Sequence, residues 1–232
     1  MPGTHSSRRI NALAARMRAE RYLEVGVAGG DTFLAVATPE RTAVDPAFRF
    51  DWQALQDPPR TRFHPLTSDA FFALRKPGDP RYDLVFLDGL HVFPQIFRDF
   101  CSTLTATHDR ALIVIDDTVP SDVYSSLTNP RAAQRFRRRA GGRGGAWHGD
   151  VYKLVFAIHD FFPLLSFCTV ATGGNPQTLV WRETRADFRP QFDSLETISR
   201  MDFFDMQRHR ALMRMLPEEE ALALVGDRLA AG

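Results

Sequence analysis

The apolar residues of this chain fall into two kinds of run. Residues 21–27 (RYLEVGV), 41–45 (RTAVD), 82–88 (YDLVFLD) and 111–116 (ALIVID) are short and almost continuously apolar, and 61–66 is a weaker run of the same kind. Continuous rather than alternating runs of this length predict strands buried on both faces, as in a parallel sheet. Between them the spacing changes to three and four. Residues 6–20 place Ile10, Leu13, Ala14 and Met17 on one helical face and arginines on the other, with Ser6 or Ser7 as the cap. Residues 30–38 predict a short helix after a glycine turn, and 68–75 a helix opened by a capping Ser68. In 93–104, Ile96, Phe97, Phe100 and Leu104 form one stripe, with Pro94 in the first turn, where it is tolerated. This alternation of strands and helices predicts a doubly wound α/β sheet. Residues 164–171 and 178–183, joined by the turn sequence TGGNPQ, predict a hairpin at one edge of it.

Two segments fall outside this pattern. Residues 118–149 contain RFRRRAGGRGGAWHG, too basic and glycine-rich for a core element, and predict a mobile loop, either solvated or a lid. Residues 192–230 return to helical spacing through Leu195, Ile198, Met201, Phe204, Leu212, Met213 and Leu216, and Pro217 breaks the run. The expected organisation is a domain over 1–190, with 118–149 as its loop or lid, and a helical tail over 191–232. The tail either packs on its own domain or forms a homodimer face.

Composition narrows the partners. The chain has 232 residues, 29 Lys plus Arg and 28 Asp plus Glu, a net charge of +1. So balanced a chain has no general electrostatic reason to bind nucleic acid or an anionic membrane. Cys101 and Cys168 sit in apolar surroundings and read as reduced core residues. No secretory h-region opens the chain and no apolar run approaches 18 residues, so a cytoplasmic location is expected.

The chemistry gathers where the first strand ends. YLEVGVAGGDTF, residues 22–33, has three glycines within five residues, flanked by Glu24 and Asp31. The dinucleotide fingerprint needs glycine at its first, third and sixth positions; counted from Gly26 the last two are Ala28 and Asp31, which disfavours a nicotinamide oxidoreductase. A phosphate loop would follow its last glycine with Lys and Ser or Thr, and Gly30 is followed by Asp31. What remains is Glu24, Gly26 and Gly30, with Asp45 ending the second strand, where an acid can accept from ribose hydroxyls. A ligand with a ribose, a positive charge and no phosphate suits such a site, as S-adenosylmethionine does.

The ordered set LEVGVAGG (23–30), AVDP (43–46), TSDAFF (67–72), DLVFLDGLH (83–91), ALIVIDDT (111–118) and GDVYK (149–153) resembles the class I S-adenosylmethionine-dependent methyltransferases over about residues 20–185. DGLH and GDVYK look closest to the small-molecule enzymes of methyltransferase family 24. The resemblance implies a Rossmann-like seven-stranded sheet with helices on both faces and an antiparallel edge hairpin. It also implies that the backbone at Gly26 and Gly30 cradles the methionine moiety beside Glu24, that Asp45 holds the ribose, and that Ser68 and Asp69 lie near the adenine.

Methyl transfer from a sulfonium is an in-line displacement and can require deprotonation of the acceptor. Asp88 ends the fourth strand, and Asp116 and Asp117 end the fifth, 28 residues further on. Three converging carboxylates repel one another unless a cation relieves them, and Mg²⁺ suits such hard oxygen ligands. The arrangement resembles the metal-dependent catechol-type O-methyltransferases. It departs from family 24, where His-Asp commonly stands in place of Asp116-Asp117, so a metal-free pocket lined by the same acids stays open. His91, three residues after Asp88, is the candidate general base, as a neutral imidazole. Trp147 and His148 could close over a substrate, Lys153 could face the site or the solvent, and Arg135–Arg143 could attract an anionic acceptor.

The expected activity is transfer of a methyl group to a hydroxyl of a small molecule such as a sugar or secondary metabolite. A nitrogen acceptor would need less help from base or metal. A catalytically idle cofactor-binding partner subunit would bind cofactor without turnover. Methylation of nucleic acid or protein predicts a basic face or an Asn-Pro-Pro-Tyr-like motif after the fourth strand, where this chain has DGLH.

Overall fold

The computed structural model describes residues 3–230. Its strands are β1 (Arg21–Val25), β2 (Glu40–Val44), β3 (Thr61–His64), β4 (Tyr82–Leu87), β5 (Thr107–Ile115), β6 (Leu165–Val170), β7 (Gln177–Arg182) and β8 (Met215–Leu216). They form one sheet in the order β3-β2-β1-β4-β5-β7-β6-β8. The first five are parallel, β7 runs antiparallel to both β5 and β6, and β8 is parallel to β6. The sheet thus has eight strands rather than seven, and the β6–β7 hairpin is not its edge. A two-residue strand has no periodicity to read, so β8 left no mark on the apolar pattern.

Both faces of the sheet are apolar, as the continuous runs require. Leu23, Val25, Val85, Leu87, Ile113 and Ile115 pack on one side against α3 (Phe93–Ala106) and α5 (Tyr152–Phe161). Tyr22, Leu84, Phe86, Leu112 and Val114 pack on the other, against α1 (His5–Met17) and α8 (Glu218–Ala230). The alternation along each strand is the two-residue period of the pleat. The remaining helices are α2 (Ser68–Ala73), α4 (Pro130–Arg139), α6 (Leu195–Arg200) and α7 (Phe203–Arg208). The chain's final segment splits between the faces: Ile198, Met201 and Met206 join the α3 side, while Ala221, Leu222 and Val225 join the α1 side. Arg9 of α1, fully buried, ties the tail down by donating to Glu218 at 2.8 Å, to Gln177 at 2.5 Å and to the Asn175 carbonyl at 3.0 Å. Cys101 and Cys168 are unpaired thiols. Among the described residues no helix is long and apolar enough to cross a membrane.

Local details differ from the pattern's expectation. The caps of α1 and α2 are Thr4 and Thr67, whose extended backbone lets each hydroxyl accept from the N–H three residues on, so Ser6, Ser7 and Ser68 lie inside the helices. Residues 30–38 hold only one tight turn, Phe33–Ala35, because β2 begins at Glu40 and leaves no room for more. The segment 118–149 is not all loop. Asn129 caps α4 and Pro130 sits in its first turn. Arg137 is buried, pairing with Asp122 at 3.0 Å and donating to the Ala146 carbonyl at 2.8 Å. One anchored arginine holds the basic stretch, and its acidic partner 15 residues upstream is invisible to periodicity.

The C-terminal ends of the parallel strands finish level. Val25 pairs with Val44 and with Leu87, and Leu87 with Ile115. The next residue of each strand, Gly26, Asp45, Asp88 and Asp116, therefore stands at one edge of the sheet. Gly26 has φ +91°, and a Cβ there would collide with the Asp88 carbonyl. Gly78 has a similar φ of +93° but open space around it. Gly26→Ala is therefore expected to cost about 3 kcal/mol and lower Tm by about 6–12 °C. Gly78→Ala should cost only its backbone strain, about 1 kcal/mol and about 2–4 °C. Thermal unfolding of the pair checks it; equal losses would mean that the contact with Asp88 is not what requires glycine at 26.

Candidate active site

The level strand ends floor a cavity of about 750 Å³, lined by the glycine turn, Asp45, the start of α2, the Asp88–His91 turn and one face of α3. This is where an open parallel sheet binds ligands. The cradle is built from backbone: Gly30 has φ +82°, and a Cβ on it would press on Phe50 and Leu34. Asp45 secures it, its Oδ2 accepting from the Ala28 N–H at 2.8 Å and its Oδ1 from the Ala47 N–H at 2.7 Å. Each of those oxygens keeps a lone pair for a ligand hydroxyl.

Glu24 lines the cavity but is buried, and it accepts from the Tyr22 hydroxyl at 2.6 Å. Burial raises its carboxyl well above the usual range; the Tyr22 bond pulls back, and Asp88, Asp116 and Asp45 push further up. Ser68 and Asp69 stand at the far end of the cavity, bridged by Gln95, whose Nε2 lies 3.2 Å from Ser68 Oγ and 3.1 Å from Asp69 Oδ1. Asp69 Oδ2 pairs with Arg98 at 2.8 Å.

At the other end Asp88, His91 and Asp117 converge, each offering a ligand atom within 4.8 Å of the others. His91 Nε2 lies 3.3 Å from Asp88 Oδ1, and Nδ1 lies 2.8 Å from Asp117 Oδ2. The Nδ1 contact is off the line of an aligned hydrogen bond, so its attraction is that of an ion pair. Asp116, expected in this cluster, is turned aside: Asn175 Nδ2 donates to Asp116 and to Asp117 at 2.6 Å each, and Asp116 also accepts from the Asp117 N–H. His91 takes the third place because the DGLH turn folds its ring back between the two strand tips.

The two carboxylates bear on the protonation expected of His91. Burial disfavours the imidazolium, but Asp117 and Asp88 outweigh it and raise the ring to about 10. Both carboxylates thus favour the imidazolium over the neutral ring. Asp88 is raised by burial, with His91 opposing. Asp116 is pushed up to about 8 by burial and by the Asp88 and Asp117 charges.

Residues 147–153 support the site from behind. Trp147 stacks flat on His91, ring centroids 4.7 Å apart and 12° from parallel, and donates to the Leu127 carbonyl at 2.6 Å. His148 is buried, with Nε2 3.9 Å from Asp117 Oδ1. Asp150 accepts from the Phe93 N–H at 2.7 Å, supplying the cap that α3 lacks in its own sequence. Lys153 neither faces the cavity nor the solvent; it donates to Asp150 at 2.9 Å and to the Ser199 carbonyl at 2.7 Å. Gly149 has φ +60°, and a Cβ there would strike the His91 carbonyl. GDVYK thus packs directly behind the DGLH turn.

The family model described as "Methyltransferase domain" matches residues 23–118, from β1 to just past the Asp116-Asp117 pair. No curated protein sequence matches the chain. Among solved structures, an O-methyltransferase from Bacillus cereus in complex with SAH is 16% identical, with 78% of this chain and 83% of that one covered and a TM-score of 0.53. A SAH-bound methyltransferase of Podospora anserina is 15% identical, with 74% and 76% covered and a TM-score of 0.52. The plantazolicin methyltransferase, in complex with SAH and a desmethyl analogue, is 8% identical, with 77% and 83% covered and a TM-score of 0.53. At these identities the likeness is one of fold.

Because the folded-state value of His91 lies above the ordinary one, its ion pairs stabilise the fold fully below about pH 6.5, and the contribution fades as pH rises through about 10. NMR titration of the ring should give a midpoint near 10. Asp117→Asn should bring it down toward the ordinary histidine value; an ordinary midpoint in the unaltered protein would refute the carboxylate clamp.

Proposed function

We propose, from the match of residues 23–118 to a methyltransferase domain model, that the chain transfers a methyl group from S-adenosylmethionine to a hydroxyl of a small molecule. The observation that carries this reading is the cavity's polarity from end to end. A phosphate-free cradle at Gly26 and Gly30 leads at one end to Ser68, Asp69 and Gln95, and at the other to the Asp88–His91–Asp117 cluster. The cofactor, when bound, supplies a methyl on a positively charged sulfur. The cradle leaves room for backbone to approach the methionine moiety, Asp45 has two free lone pairs for ribose hydroxyls, and the acid-rich floor favours the sulfonium.

The acceptor hydroxyl belongs beside Asp88. A carboxylate raised by burial is a stronger base than a solvated one, and Asp88 can take the hydroxyl proton as the oxygen attacks. The His91 imidazolium, stacked under Trp147 and held by Asp117, fixes the position of Asp88 and balances its charge. Asp88, Asp117 and His91 also form a donor set that fits a divalent cation such as Mg²⁺, which would polarise an acceptor hydroxyl. A ligand set that must shed the His91 proton binds metal more tightly as pH rises.

Calorimetric titration with S-adenosylhomocysteine, with and without Mg²⁺, tests the reading. Micromolar binding is expected, weakened at least about tenfold by Asp45→Ala. Mg²⁺ should bind with proton release, seen as a heat that changes with the buffer, and lose affinity in Asp117→Asn. Asp88→Asn should lower kcat by about 10²-fold or more against hydroxylated acceptors. Absence of S-adenosylhomocysteine binding would overturn the assignment. Turnover of an amine acceptor that survives Asp88→Asn would move the reading to nitrogen. Binding without turnover on any acceptor would favour an idle partner subunit.

A further inference from the structure

Residues 123–149 contain six arginines and not one acid, in a chain whose net charge is only +1. Arg137 turns inward onto Asp122 at 3.0 Å and is buried. The other five, Arg131, Arg135, Arg138, Arg139 and Arg143, are exposed, and among the described residues none of them pairs with a carboxylate. Arg131, Arg135 and Arg138 are spaced four and three apart, so they form one stripe on α4, on the side away from the buried Ala133 and Arg137.

Beside that stripe lies a groove of about 440 Å³, lined by Val123, Tyr124, Leu127, Phe136, Arg139 and Ala140. Phe136 is 41% exposed, and the Arg135 guanidinium lies over its ring, 5.0 Å from the centroid. The ring is one wall of an apolar groove rather than a lone surface hydrophobe, and arginine with aromatic residues, without lysine or acid, is the composition that interface cores favour. The groove shares no residue with the cavity at the strand ends. It is nonetheless close to the acid cluster, because Leu127 accepts from Trp147, which stacks on His91.

We propose that α4 and this groove dock an acidic, amphipathic segment of a partner protein, with its carboxylates on the arginine stripe and its apolar side chains in the groove. Guanidinium groups meet carboxylates as bidentate forks, and the unpaired arginines have no acid of their own chain to compete for them. A nucleic acid fits this surface less well. Its bases would need an open aromatic face, whereas Arg135 already covers the Phe136 ring and most of the other groove walls are aliphatic. A chain of net charge +1 also has little long-range attraction for a string of phosphates.

Fluorescence anisotropy tests this with a labelled amphipathic helical peptide of Glu, Leu and Ala, the same peptide with Lys in place of Glu, and polyuridylate. The Glu peptide should bind the unaltered protein at least about tenfold more tightly than either control, and added salt should weaken it. Charge reversal in Arg135→Glu/Arg138→Glu should weaken it about tenfold or more, and Phe136→Ser about threefold or more. None of the three side chains is buried, so both variants should keep the melting temperature and the S-adenosylhomocysteine affinity of the unaltered protein. Tighter binding of polyuridylate than of the Glu peptide would overturn the proposal in favour of nucleic acid. Failure of the Glu peptide to bind, or binding that survives both variants, would refute docking and leave the stripe a solvated surface. Neither result bears on the cofactor reading, which S-adenosylhomocysteine binding decides by itself.

Discussion

The site depends on the close approach of two backbones. The Gly26 N–H reaches the Val44 carbonyl at 2.9 Å, the Asp88 N–H reaches Val25 at 2.8 Å, and the Asp116 N–H reaches Leu87 at 3.0 Å. The ladder of the sheet therefore runs one residue beyond each strand, and Gly26 and Asp88 of these line the cavity. Only a residue without Cβ can sit at position 26 while the Asp88 carbonyl passes beside it. This approach sets the spacing between the cradle and the acid cluster, and the rest of the site takes its positions from it.

The floor that results is rich in acids and survives by sharing protons and donors. Glu24 has Tyr22, Asp45 has two backbone N–H groups, Asp116 and Asp117 share Asn175, and Asp88 and Asp117 share His91. Burial and mutual repulsion raise Glu24, Asp88 and Asp116 above the usual carboxylate range. A bound cation, whether a sulfonium or a metal, pulls them back down, because added positive charge favours the ionised carboxylates.

The segments outside the central sheet hold the site from behind. Asp150 caps α3 and pairs with Lys153, which reaches the Ser199 carbonyl of α6, so the tail, the GDVYK segment and the DGLH turn form one connected support. Arg137 anchors the basic stretch to Asp122, and the chain then returns with Trp147 over His91. On the opposite face Arg9 and Arg8 both pair with Glu218, which keeps α8 against α1 and the β6–β7 turn. Such complete hydrogen bonding offsets the cost of taking a guanidinium out of water.

By itself the sequence determined the five parallel strands, the hairpin after them and most helices, because burial on two faces leaves continuous apolar runs and burial on one leaves a helical stripe. It also determined the residues at the strand tips, since glycine and acid at the end of an apolar run are local signals. Tertiary structure decided the rest. It chose His91 over Asp116 as the third member of the acid cluster, because Asp117, the carboxylate that meets the ring at 2.8 Å, lies 26 residues further along the chain. It turned a stretch that reads as loop into α4 with a buried arginine, and it added β8 by pairing two residues that carry no pattern.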